Sequence, residues 1–214
     1  MKLRNEFKAA LAVCATIALV SCASSNSGSG AADESMSFFI TSENPGDGAN
    51  LGGLAGADAY CTTLATAAGS TGKTWAAYLS SSAENARDRI GSGPWYNANG
   101  VQVASSVDNL LSADNNLNKG NSTNEFGLIV NGRGDEPNRH DILTGSDEFG
   151  MATDANCDDW TSNGAGSATV GHHDRTGGGD NPTSWSSAHP SRGCGLEDLR
   201  GTGGDGLYYC FATN

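Results

Sequence analysis

Residues 158–206 show hardly any apolar periodicity and are rich in glycine, serine and aspartate. A run of that length without regular elements is uncommon in a compact domain unless it carries function or is held by cross-links. Cysteines bracket it: Cys157 stands just before, Cys194 inside and Cys210 just after, with Cys61 far upstream. Glycine makes up 30 of the 214 residues and hydrophobic residues only 37%, so much flexible backbone must be ordered over little apolar surface. Four Trp, six Phe and five Tyr can still seed a core, which argues against a disordered chain. The expectation is one loop-rich domain restrained by disulfides.

Disulfides need an oxidising compartment, and the N-terminus supplies an address for one. Lys2, Arg4 and Lys8 flank the start of an apolar run over residues 9–20. That run is too short for a membrane span, which needs about 20 apolar residues, and fits a secretory signal. It ends in Leu19-Val20-Ser21-Cys22, which resembles a bacterial lipobox. The resemblance implies cleavage before Cys22, lipidation of Cys22 and a lipid anchor in the membrane; Ala23 at the second mature position implies the outer membrane. Residues 1–21 are read as a lipoprotein signal peptide, residues 22–36 as a flexible Ser/Gly-rich tether, and residues 37–214 as the folded domain. Cys14 leaves with the signal and Cys22 is assigned to lipid, so Cys61, Cys157, Cys194 and Cys210 remain. Three pairings are open to four cysteines and the spacing does not choose among them. The whole chain has 12 basic and 24 acidic residues, net -12; without residues 1–21 it has 9 and 23, net -14. Such acidity disfavours nucleic acid, heparin-like polyanions and anionic lipid surfaces.

Ser37-Phe38-Phe39-Ile40-Thr41 reads as a short strand. Leu54, Ala57, Cys61, Leu64, Ala65 and Ala68 recur at helical spacing, with Gly69 as a stop, and this puts Cys61 on a buried helical face. Trp75 to Leu79 reads as a strand, and Ser81 with Glu84 as a capping box opening a second helix through Ile90. Residues 95–103 carry Asn99-Gly100 and read as a hairpin. Further strands are expected over residues 126–130, 142–143 and 206–212, with residues 158–206 mostly loop.

In this order, the pieces resemble the C-type lectin-like fold, especially its endostatin-like branch. The resemblance rests on the Cys61 helix, Thr74-Trp75-Ala76-Ala77-Tyr78-Leu79, Leu143-Thr144-Gly145-Ser146-Asp147, Cys157-Asp158-Asp159-Trp160, Gly193-Cys194 and Tyr208-Tyr209-Cys210-Phe211. Phe38-Phe39-Ile40-Thr41 and Asn50-Leu51-Gly52-Gly53-Leu54 are also similar to bacterial surface lipoproteins, spirochaetal endostatin-like ones and proteobacterial ones labelled lectins among them. The resemblance implies an α+β domain of two short helices around a twisted, mostly antiparallel sheet with long loops. It also implies the pairs Cys61–Cys210 and Cys157–Cys194. By loop-closure entropy these would contribute up to about 5 and about 4 kcal/mol.

Glu136-Pro137-Asn138 resembles the sugar- and calcium-binding triplet of mannose-type C-type lectins, and Asp135 and Asp141 add hard oxygen donors of the kind calcium prefers. The matching Trp-Asn-Asp is replaced by Trp185-Ser186-Ser187, which leaves half a calcium site, and a polar turn is the competing reading. Gly171-His172-His173-Asp174-Arg175 is the densest chemistry in the chain, with His140 and His189 elsewhere. Imidazoles and a carboxylate can ligate a metal or transfer protons. Adjacent residues of an extended segment point to opposite faces, however, so His172 and His173 do not readily reach one ion; loop-fixing hydrogen bonds are the alternative. Trp75 and Trp160 are expected in the core; for Trp95 and Trp185 an exposed platform for a sugar face is the alternative to burial. The resemblance implies a lipid-anchored, non-catalytic cell-surface module that binds carbohydrate or an extracellular protein. A structural envelope lipoprotein, or a metal-dependent enzyme on the same frame, are the alternatives.

Overall fold

In a computed structural model, residues 35–214 are described; the signal, Cys22 and nearly all of the tether lie outside them. The elements are β1 (Phe38–Ile40), α1 (Gly53–Ala67), β2 (Trp75–Ala77), α2 (Ala86–Arg89), β3 (Trp95–Tyr96), β4 (Gln102–Ala104) and α3 (Val107–Leu110). They continue with β5 (Asp141–Leu143), α4 (Cys157–Trp160), β6 (Thr169–His172), β7 (His189–Pro190), α5 (Leu196–Thr202) and β8 (Gly204–Ala212). The fold class is α+β, as the resemblance implied, but with five helices among the described residues rather than two, and none of these is long and apolar enough to cross a membrane.

The organising element is β8, nine residues long and buried throughout. One edge pairs antiparallel with β1, with Phe38 opposite Phe211 and Ile40 opposite Tyr209. The other edge pairs antiparallel with β2 near the C-terminus and parallel with β5 near Gly204–Tyr208. Beyond β5, β6 and β7 add antiparallel strands, so the sheet is mixed. Side chains alternate across a strand. Tyr208, Cys210 and Ala212 therefore join Phe39, Trp75, Leu79 and Trp160 under α1, while Leu207, Tyr209 and Phe211 join Phe38, Ile40, Tyr78, Trp95 and Trp185 on the other face. A central strand covered on both faces reads as a continuous apolar run, which is why Leu207 to Ala212 was recognisable.

Helix α1 buries Ala57, Cys61, Leu64 and Ala65, one stripe at helical spacing, and Gly69 follows it at φ 87°. Small residues on that stripe let the helix lie close to the sheet, where Cys61 is disulfide-bonded to Cys210. Cys157 is bonded to Cys194, at the edge of the same core. Both pairs are those that the resemblance implied.

Several expectations need correction. Residues 126–130 are not a strand: Phe126, Leu128 and Ile129 are exposed, and the segment makes only an isolated bridge, Thr123 to Ile129. The second helix starts later than Ser81, because Ser81 and Glu84 exchange backbone hydrogen bonds in a turn and Ala86 N–H donates to the Ser80 hydroxyl. Residues 158–206 hold β6, β7 and α5, elements too short for periodicity to reveal. Trp95 and Trp185 are buried, 1% and 4% exposed, so neither is an open platform for a sugar. Their indole N–H groups donate to Ala212 O and Leu110 O, and a backbone partner inside the core is what a buried indole requires.

Candidate functional site

Three neighbouring strands deliver ionisable side chains to one end of the sheet. Asp141 opens β5 directly opposite His172, the last residue of β6. His189 opens β7, paired with Val170, so it is the diagonal neighbour of His172 on the same face. His140 precedes β5, and its ring stacks on that of His172 with centroids 4.2 Å apart. All four histidines of the chain fall between positions 140 and 189, and the sheet gathers three of them.

Asp141 is the base of the cluster and is 2% exposed. Its Oδ1 lies 3.1 Å from His140 Nε2, 3.3 Å from His172 Nε2 and 3.7 Å from His189 Nε2. His172 Nε2 and His189 Nε2 are 3.0 Å apart. The second nitrogen of each ring is held elsewhere. His140 Nδ1 faces Asp174 Oδ1 at 3.4 Å, His172 Nδ1 faces Pro182 O at 2.8 Å and His189 Nδ1 faces Pro190 O at 3.1 Å. Among the described residues, His140, Asp141 and His172 are the group whose metal-ligating atoms all lie within 4.8 Å of one another.

The electrostatics follow the packing. Burial pushes the His172 imidazole down, but the Asp141 carboxylate, Pro182 O and the Asp174 charge outweigh it and leave its pKa above the ordinary value. His173 points away, its Nε2 to Asn131 O at 3.0 Å, and burial lowers its pKa. Burial would raise Asp174, yet its contact with His140 and the Arg133 and Thr176 amides hold it far below the usual carboxylate range.

A cavity of about 480 Å³ opens over the cluster, lined by His140, His172 and His189 with Arg133, Asn138 and Thr202. Another of about 490 Å³ lies between Met36, Lys73, Glu125 and Phe126, but among the described residues no three ligating side chains converge there. Chemistry rather than volume selects the first.

Of the residues singled out from sequence, Asp141, His172 and Asp174 come together here. The triplet loop does not complete a calcium site with them. Asp135 is ion-paired to Lys119, which holds its carboxyl below the usual range, and it also accepts from Gly132 N–H. Glu136 is exposed, and Asn138 accepts from His140 N–H. Asp141 belongs to the histidines instead. Arg175 secures the far side of the loop by donating to Leu117 O and Thr183 O. His140 and His189 carry weight that no local pattern assigned to them, because only the β5–β6–β7 register makes them neighbours. Their one sequence signal is the confinement of every histidine to a single third of the chain.

No protein-family model matches the chain, and a comparison with curated proteins finds no match.

Proposed function

We propose that the chain is an exported, lipid-anchored surface module with a C-type lectin-like, endostatin-like frame, and that it binds carbohydrate or an extracellular protein at the loop face above His140, His172 and His189. The observation that carries this reading is the cavity itself: three separate segments, the loops around Arg133 and Gly178 and the end of α5 at Thr202, converge on it over the sheet end. Ligand sites are typically concave, with a few convergent polar groups held by a scaffold. Support for the frame comes from pairing of the first and last strands, from a helix stapled to the last strand by Cys61–Cys210, and from long loops spanned by Cys157–Cys194. The acidity of the chain argues against heparin-like ligands.

The purified protein is tested on a glycan array and against a panel of extracellular-matrix proteins. Reproducible binding that is lost in Arg133→Ala and Asn138→Ala, two residues lining the cavity, supports the reading. Blank results on both panels, or binding unaffected by these variants, overturn it. A second reading, hydrolysis at the same place, is favoured by one observation, the meeting of His172 with Asp141 under an open cavity; turnover of ester or glycoside substrates would favour it.

A further inference from the structure

We infer that His140, Asp141, His172 and His189 form a binding site for one divalent transition metal, of the zinc class, with Asp174 as an outer partner. The inference goes beyond the binding reading and does not depend on it, since a metal can bind where no glycan does.

Proton accounting comes first. Pro182 O and Pro190 O can only accept, so His172 and His189 donate to them from Nδ1. Asp174 likewise takes the Nδ1 proton of His140. Each neutral ring then presents a lone pair at Nε2, and all three Nε2 atoms surround Asp141 Oδ1. Two of these lone pairs confront each other at 3.0 Å. Both oxygens of the buried Asp141 carboxylate lack a hydrogen bond of acceptable geometry, despite the nearby nitrogens. A carboxylate taken out of water without partners costs several kcal/mol. This electron-rich pocket needs a cation. A proton shared by His172 and His189 relieves one repulsion, but it leaves His140 Nε2 and the carboxylate unserved. One metal ion serves all four.

Dimensions agree. Tetrahedral ligands held at 2.0–2.1 Å from zinc are about 3.3 Å from one another. Four of the ligand-to-ligand distances here are 3.0, 3.1, 3.3 and 3.7 Å. The ligating atoms of His140, Asp141 and His172 all lie within 4.8 Å of one another, whereas His189 falls outside that group and has to swing toward His140 to complete the set. His189 stands furthest from Asp141, and its side chain is the most exposed of the four at 19%, so it is the ligand free to adjust from the cavity side. The outer contacts fit as well, because metal-binding histidines usually give their other N–H to a carboxylate or backbone carbonyl, which fixes the ring and its tautomer. Three glycines at positive φ close in on the rings. A Cβ at Gly177 would lie 2.7 Å from His172 Cε1, one at Gly179 2.7 Å from His189 Cδ2, and one at Gly203 3.0 Å from His140 Nε2. Imidazole-rich ligand sets suit zinc, copper or nickel, whereas calcium takes six to eight oxygens.

The test uses the full chain without a polyhistidine tag, purified in detergent and stripped with a chelator. Calorimetric titration is expected to show one equivalent of zinc and no comparable response to calcium. Cobalt(II) is expected to give the intense visible absorption of a tetrahedral site. His140→Ala/His172→Ala should abolish both signals, and Asp174→Asn should weaken zinc binding about 10- to 100-fold. Circular dichroism checks that the variants fold; if the double variant does not, the wild-type stoichiometry, the cobalt spectrum and Asp174→Asn still decide. Absence of stoichiometric zinc binding to the wild type overturns the inference, as does full affinity in a folded double variant.

Discussion

Trp185 shows how far one side chain can depart from its local sequence. Serines surround it at positions 184, 186 and 187, which favours an exposed reading. Yet its ring packs 4.7 Å from Tyr78 and 5.2 Å from Tyr209, and the Tyr209 hydroxyl donates to its carbonyl. The polar neighbours are absorbed by the backbone: Ser186 N–H and Ser187 N–H donate to the Ser184 hydroxyl. Gly171 fits beside this residue because a Cβ there would overlap the Trp185 carbonyl. Trp185→Ala should therefore act on folding, at a cost of about 3–5 kcal/mol, measured by urea unfolding. An unchanged midpoint would contradict the packing. The burial of Tyr209, which drives its phenol well above the ordinary pKa, is equally invisible in sequence, since neither residue carries a mark of its distant partner.

At the scale of elements, α4 is the unusual piece. Cys157, Asp158, Asp159 and Trp160 have φ values of 51°, 55°, 54° and 66°, a single left-handed turn that costs an L-residue roughly 1–2 kcal/mol at each position. Three anchors offset that cost. Cys157 is bonded to Cys194, the Trp160 indole is buried and donates to Ser80 O, and Asn156 accepts from Asp159 N–H. Asp159 then holds the neighbouring turn: Ser82 donates to it from hydroxyl and amide, and Asn156 adds a third donor. These donors, the Ser82 hydroxyl first, keep its carboxyl below the ordinary value. A lowered folded pKa means stability that is present above the unfolded carboxylate pKa and lost as pH falls through the folded one. Asp159→Asn should cost about 1 kcal/mol at neutral pH after solvent screening, and should flatten the acid limb of the stability profile; an unaltered acid limb would refute this role. The Cys-Asp-Asp-Trp sequence was recognisable as a motif, but nothing in it announces left-handedness, which tertiary anchors impose.

For the whole molecule, legibility followed element length and burial. Helix α1 and strand β8 declare themselves, one by a stripe of small apolar residues and the other by an unbroken apolar run from Leu207 to Ala212. Strands of two to four residues, such as β7 and β6, carry at most two repeats of the two-residue alternation, too few to stand out, so the sheet end that assembles the histidines was not foreseeable from local sequence. The disulfide pairing came from resemblance rather than counting. Removing Cys61–Cys210 by a double serine substitution should lower thermal stability more than removing Cys157–Cys194, because 149 residues separate the first pair and 37 the second. Calorimetry under non-reducing conditions checks the order, and the reverse order would show that native-state strain outweighs loop entropy.

Strand β1 pairs with the C-terminal end of β8, with Phe39 opposite Cys210, and the disulfide partner of that cysteine, Cys61, comes later in the chain, on α1. That arrangement sets a path for mechanical load. Force arriving at the N-terminal end of the domain shears β1 from β8, and the chain can then pay out only as far as Cys61. There the covalent bond takes the pull and passes it directly into the central strand. The loops over His140, His172 and His189 lie beyond that bond in sequence, so their geometry survives a tug that strips the first strand away.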